Sequence, residues 1–107
     1  MIMNLFKPSG PDINEGVKKY RETEGAFLVD VRMPDEYAQG HIPGSINIPL
    51  NQIALVEGTI ADKSAPVFVY CLSGGRSSRA AKFLEKIGYT DVTDLGGISG
   101  YTGPKEK

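Results

Sequence analysis

Cysteine, histidine and tryptophan are almost missing from this sequence, which has one, one and none of them in 107 residues. The lone cysteine, Cys71, closes no disulfide within the chain. It also excludes the usual thiolate metal clusters and an internal Cys-x-x-Cys redox pair. Neither sign of charge predominates: 12 Lys and Arg face 13 Asp and Glu, which argues against a nucleic-acid binder that depends on overall charge. No apolar run is long enough to span a bilayer, and no basic segment leads into an apolar stretch of signal-peptide length. The expectation is a cytoplasmic protein with neither a membrane nor a nucleic-acid partner. What is present is ordinary. Hydrophobic residues at 40% supply one modest core, and the length suits one domain. Thirteen glycines and seven prolines fall short of low complexity and predict many turns.

No internal repeat appears. Residues 1–11, with Pro8, Gly10 and Pro11, read as a lead-in segment, and 12–103 as the domain. Asp12 followed by Glu15 forms a loose capping box. Ile13, Val17 and Tyr20 recur at helical spacing, and Gly25 is a stop. Ala26–Val31 reads as a buried strand. Pro34 suits the first turn of a short helix that Gly40 ends. Ser45–Pro49 reads as a short strand and Leu50–Val56 as a short helix. Val67–Tyr70 is the strongest strand and runs straight into Cys71. After a glycine-rich loop, Ala80, Phe83, Leu84 and Ile87 mark an amphipathic helix closed by Gly88. Val92–Leu95 reads as a last strand and Gly96-Gly97 as a turn. Strands alternating with helices predict an α/β fold with a mainly parallel sheet.

Binding sites of open α/β sheets lie at the carboxyl ends of the strands, which is where Cys71 falls. Gly74 and Gly75 let the following loop curl so that its N–H groups point inward. The helix after the loop directs its N-terminal N–H groups and positive dipole end the same way, and Arg76 adds a fixed positive charge. Each feature favours a thiolate over a thiol, and the same donors suit an anion beside the sulfur. A nucleophile inside an anion cradle is an enzyme-like arrangement, whereas a free cysteine in isolation is more often a small buried hydrophobe.

Four segments carry a family resemblance: Leu28-Val29-Asp30-Val31-Arg32 with Glu36-Tyr37; Gly40-His41-Ile42-Pro43-Gly44-Ser45-Ile46-Asn47-Ile48-Pro49; Val69-Tyr70-Cys71-Leu72-Ser73-Gly74-Gly75-Arg76-Ser77; and Leu95-Gly96-Gly97-Ile98. In this order and spacing the chain resembles a single-domain rhodanese, a sulfurtransferase module. The resemblance implies a parallel sheet of roughly five strands with helices on both faces. It implies that Cys71 attacks the outer sulfur of a donor such as thiosulfate and becomes a persulfide. Leu72, Ser73, Gly74, Gly75, Arg76 and Ser77 form the loop whose N–H groups hold the outer sulfur. Cyanide, a cellular thiol or a partner protein then receives it. No cofactor and no metal is implied. Two positions depart from the pattern: Leu72 stands where many relatives have arginine, removing one anion-attracting charge from the mouth, and Tyr101 stands where the family usually has tryptophan, so a packing role is expected of it.

Other residues read as structural. His41 is expected to bond to nearby backbone or carboxylate in its turn rather than to act with Cys71. Asp30 and Arg32 are expected to form an ion pair that locks the strand end to neighbouring loops. Arg79 either helps attract anions or is a solvated charge, and Lys82, Glu85 and Lys86 read as solvent face. Two other functions compete with sulfur transfer. A cysteine-dependent phosphatase or arsenate reductase needs a Cys-x5-Arg loop around an oxyanion, and Cys71 to Arg76 is Cys-x4-Arg. A non-catalytic binding module on the same scaffold often loses the cysteine or the loop glycines, and both are intact.

Overall fold

The computed structural model describes residues 12–107, so the lead-in segment lies outside the described residues. Helix α1 spans Ile13–Glu22, strand β1 Phe27–Asp30, helix α2 Pro34–Gln39 and strand β2 Ser45–Asn47. A 3-10 segment, Leu50–Leu55, leads into the short helix α3, Val56–Thr59. Strand β3 is Val67–Cys71, helix α4 Gly75–Lys86 and strand β4 Val92–Gly97, followed by a 3-10 turn at Ile98–Gly100. The four strands are all parallel, in the order β2-β1-β3-β4.

The described residues therefore hold one strand fewer than the resemblance implies. Strand β2 is also shorter than expected, ending at Asn47, although Ile48 N and Leu50 N still donate to Asp30 O and Val31 O at 3.0 Å each. The segment from Leu50 splits at a kink, with Gln52 outside helical geometry. The Asp12 cap is as expected: its carboxylate accepts from Asn14 N at 2.9 Å and Glu15 N at 3.2 Å. Helix α1 ends before Gly25, at Thr23, whose hydroxyl caps Lys19 O at 2.6 Å.

Side chains alternate across the sheet with the period of a strand. Val67, Val69 and Cys71 face a core with Ala80 and Leu84 of α4, together with Ile53, Val56 and Ile60. Phe68 and Tyr70 face a second core with Ile13 and Val17 of α1, plus Ile98 and Tyr101. Helical layers thus cover both faces, which accounts for a central strand that is buried at every position. Cys71 shares the α4 face, so the helix that begins beside it also packs beneath it.

Leu84 is fully buried at the centre of the α4 face. Replacing it with alanine removes its methyl contacts and leaves a cavity. Leu84→Ala is expected to lower unfolding stability by about 2–5 kcal/mol, read from the urea midpoint at constant slope. A loss below about 1 kcal/mol would mean that this layer is not packed as described.

Candidate active site

Cys71 ends β3 and is 1% exposed. The chain then turns through Leu72 and Ser73 to Gly74, which caps α4 with φ 111°, a left-handed conformation that favours glycine. That turn carries Gly74 N back to the cysteine, where it donates to Sγ at 3.0 Å. The thiol donates to Ser77 Oγ at 3.5 Å, and that hydroxyl donates to Gly74 O at 3.1 Å. The first N–H that bonds back into α4 is that of Ser78, to Gly74 O at 3.1 Å. Gly75, Arg76 and Ser77 therefore occupy the helix start, where N–H groups have no partner within the helix. Leu72 is 44% exposed at the outer edge of the loop. One short segment thus combines the cysteine, a backbone donor on its sulfur, a hydroxyl within reach and a helix N-terminus.

Arg76 does not point its charge freely into this cradle. Its Nη1 and Nη2 donate to Glu36 Oε1 and Oε2 at 2.7 and 3.0 Å, a fork-to-fork pair across 40 positions of sequence. The hydrogen bond from Arg76 is the chief cause that holds the Glu36 carboxyl down at about 2; it prevails, with help from Met33 N–H, over the opposing effect of burial. Arg76 brings the expected positive charge to the helix start, but Glu36 pairs with it there. Glu36 is the functional-region residue that the sequence reading missed as a partner. Its only sequence signal was its position in the first turn of α2, within the first matched segment.

Asp30 and Arg32 pair as expected. Asp30 is fully buried and accepts from Arg32 N, Nε and Nη2, the last at 2.7 Å. Arg32 Nη2 also donates to Gly40 O at 2.7 Å, tying the end of β1 to the end of α2. Burial works against the guanidinium, but the hydrogen bond and charge of Asp30 hold its pKa above the ordinary value. His41 stays away from the chemistry: Nδ1 lies 2.8 Å from Tyr37 O, and its ring stacks on Tyr37 with centroids 3.7 Å apart. Tyr101 is buried in the α1-side core.

Gly96-Gly97 is not a free turn. Strand β4 continues through both, with an irregularity that sets Cys71 opposite Gly97. Gly96, at φ 85°, absorbs the extra residue. Gly97 then packs so tightly under the cysteine loop that a Cβ there would overlap Leu72 O and lie 2.6 Å from Ser73 Cα. Ser99 N further fastens the loop by donating to Leu72 O at 3.1 Å. Two grooves flank the loop. One, of 540 Å³, runs past Ser73, Gly74 and Gly96; the other, of 410 Å³, is bordered by Leu72, Arg32, Glu36, Gln39 and Lys105. No cluster of metal-ligating side chains occurs among the described residues, and none of their helices is long and apolar enough to cross a membrane.

Gly97→Ala is expected to destabilise the fold by about 1–3 kcal/mol because the loop backbone has to move. Gly58→Ala, where nothing lies within 4 Å of the added methyl, is expected to be neutral or slightly stabilising within α3. Equal urea midpoints for the two variants would contradict the close approach. The Glu36–Arg76 pair predicts an acid limb of stability. With its carboxyl depressed to about 2 in the folded state, Glu36 contributes fully above its unfolded value and loses that contribution as pH falls from about 4.5 towards 2. Glu36→Gln is expected to be less stable than wild type at pH 6, with the gap narrowing steadily as pH falls from about 4.5 towards 2. A gap independent of pH would show that the pair is not the cause.

A family model described as the Rhodanese-like domain matches residues 14–103. The thiosulfate sulfurtransferase PspE of Escherichia coli is 40% identical over 80 residues, which cover 74% of this chain and 77% of the relative. The thiosulfate sulfurtransferase GlpE of Pseudomonas aeruginosa is 40% identical over 83 residues, covering 78% and 74%. Among solved structures, a rhodanese with anions from E. coli superposes with TM-score 0.72 at 38% identity, covering 77% of this chain and 98% of that one. The rhodanese-like domain of the Alr3790 protein from Anabaena gives TM-score 0.79 at 25% identity, covering 94% and 80%. The glycine-capped cysteine loop at the end of a parallel strand thus sits in a chain that belongs to the rhodanese-like family, and the protein is a sulfurtransferase.

Proposed function

We propose that Cys71 carries sulfane sulfur as a persulfide, taking it from a donor such as thiosulfate and passing it to cyanide or a thiol. The Cys71 thiolate attacks the outer sulfur of thiosulfate, the donor's sulfur–sulfur bond breaks, and sulfite leaves with the bonding pair. The new outer sulfur bears the negative charge and lies among the N–H groups of the loop from Leu72 to Ser77. Cyanide or a thiolate then attacks that sulfur, the persulfide bond breaks, and the pair returns to Cys71 as thiolate. The two half-reactions predict ping-pong kinetics.

The observation that carries this reading is the 3.0 Å bond from Gly74 N to Sγ at the start of α4. It supports a loop whose backbone dipoles turn towards the sulfur, where they stabilise developing charge without a mobile side chain. Ser77 adds a rotatable hydroxyl: once Cys71 has lost its proton, the same hydroxyl can donate to sulfur instead of to Gly74 O. A phosphatase or arsenate reductase is supported less. Such chemistry requires an arginine free to grip an oxyanion with two N–H groups, and both arms of Arg76 are taken by Glu36.

Intact-protein mass spectrometry after mixing with thiosulfate is expected to show a gain of one sulfur atom that cyanide or a thiol reductant removes. Cys71→Ser is expected to keep the fold and lose both the adduct and turnover. A wild-type protein that gains no sulfur, or a serine variant that retains thiosulfate:cyanide activity, would overturn the reading.

A further inference from the structure

The groove beside Leu72 has an uneven charge balance. Of the groups along it, Arg32 is matched by Asp30 at 2.7 Å, and Glu36 is matched by Arg76 at 2.7 Å. Lys105 also borders the groove and forms no ion pair among the described residues. The groove therefore presents one uncompensated positive charge, and it comes from the chain's end rather than from the cysteine loop.

The position of Lys105 is not that of a loose tail. Glu106 and His41 exchange two backbone hydrogen bonds, each 2.8 Å, in an isolated antiparallel bridge. His41 is itself fixed by its stacking on Tyr37 and its bond to Tyr37 O. The bridge lays the stem of Lys105 across Gly40, where an added Cβ would lie 3.8 Å from Lys105 Cδ. Gly40 in turn holds Arg32 through its carbonyl. The strap thus ends at the same mouth that Leu72 leaves without charge.

We infer that Lys105 is an anion-steering residue of this site, drawing a negatively charged sulfur donor to Cys71 in place of the cation that Leu72 lacks. The inference deepens the persulfide reading and rests on it for the identity of the donor. A single exposed ammonium acts by long-range attraction, so it works on donor capture and is screened by salt. It leaves the bond-making step, which depends on the loop N–H groups, unchanged.

Two alkylating probes test the charge without requiring turnover. Iodoacetate is an anion and iodoacetamide is neutral, and both react with the same sulfur, so their rate ratio at Cys71 reports the charge at the mouth. At low ionic strength Lys105→Met is expected to lower the iodoacetate-to-iodoacetamide ratio by about fivefold. Lys105→Arg and Lys82→Met, a change on the solvent face of α4, are expected to keep the wild-type ratio, and high salt is expected to erase the difference. An unchanged ratio in Lys105→Met overturns the inference. With thiosulfate as donor, Lys105→Met is expected to raise KM by a similar factor at constant kcat, and adding Leu72→Arg is expected to bring KM back down. An unchanged thiosulfate KM beside a lowered ratio also overturns the role in donor capture. A wild-type protein that accepts no sulfur from thiosulfate refutes the persulfide reading instead, and the alkylation ratio still decides the charge.

Discussion

The carboxyl edge of the sheet is organised by the buried pair of Asp30 and Arg32. Asp30 lies at the end of β1 with no exposure, and a carboxylate there is tolerable only because three donors of Arg32 surround it. Arg32 then carries the restraint outward to Gly40 O. Asn47 spans Asp30 O and Arg32 O at 2.9 Å each, joining β2 to the same knot. Removing either charge would leave the other buried without a partner, at a cost of about 3–5 kcal/mol. The loops after β1 and β2 owe their positions to this pair, and α2 begins from one of them.

Helix α2 in turn provides Glu36, which anchors the first turn of α4 through Arg76. Two guanidinium–carboxylate pairs therefore brace the edge from β2 to α4. The charges of Arg32 and Arg76 near Cys71 are neutralised in the process. On the proposed reading, stabilisation of a sulfur anion falls to the N–H groups of the loop, of which Gly74 N already donates to Sγ. Gly97 lies so close beneath the loop that a Cβ there would overlap Leu72 O.

The parts legible in the sequence were those with local causes. Asp12 and Glu15 marked a helix start, Ala80 to Ile87 marked a helix face, and a run of β-branched and aromatic residues delivered Cys71 to a strand end. Parts with non-local causes were not legible. Nothing in the spacing of Glu36 and Arg76 couples them, because the sheet brings them together only when β1 and β3 are paired. Gly96-Gly97 read as a turn because two glycines usually are one. The neighbouring strand, by pairing Cys71 with Gly97, makes them a bulge instead. The strap at Glu106 escaped notice since a single bridge has no periodicity to detect. The number of strands came from the resemblance rather than from the residues, and among those described it was one too many.

The solitude and burial of Cys71 have a consequence for the lifetime of whatever it carries. Many thiol carriers unload through a second cysteine of their own, which closes a disulfide and sets the pace internally. This chain has none. On the proposed reading, a sulfur held on Cys71 finds no second cysteine among these residues to receive it, and its host residue is 1% exposed. Discharge then becomes a question of which acceptor is slender enough to reach the loop. On that reading, the lifetime of the loaded state follows from the abundance and shape of the acceptor.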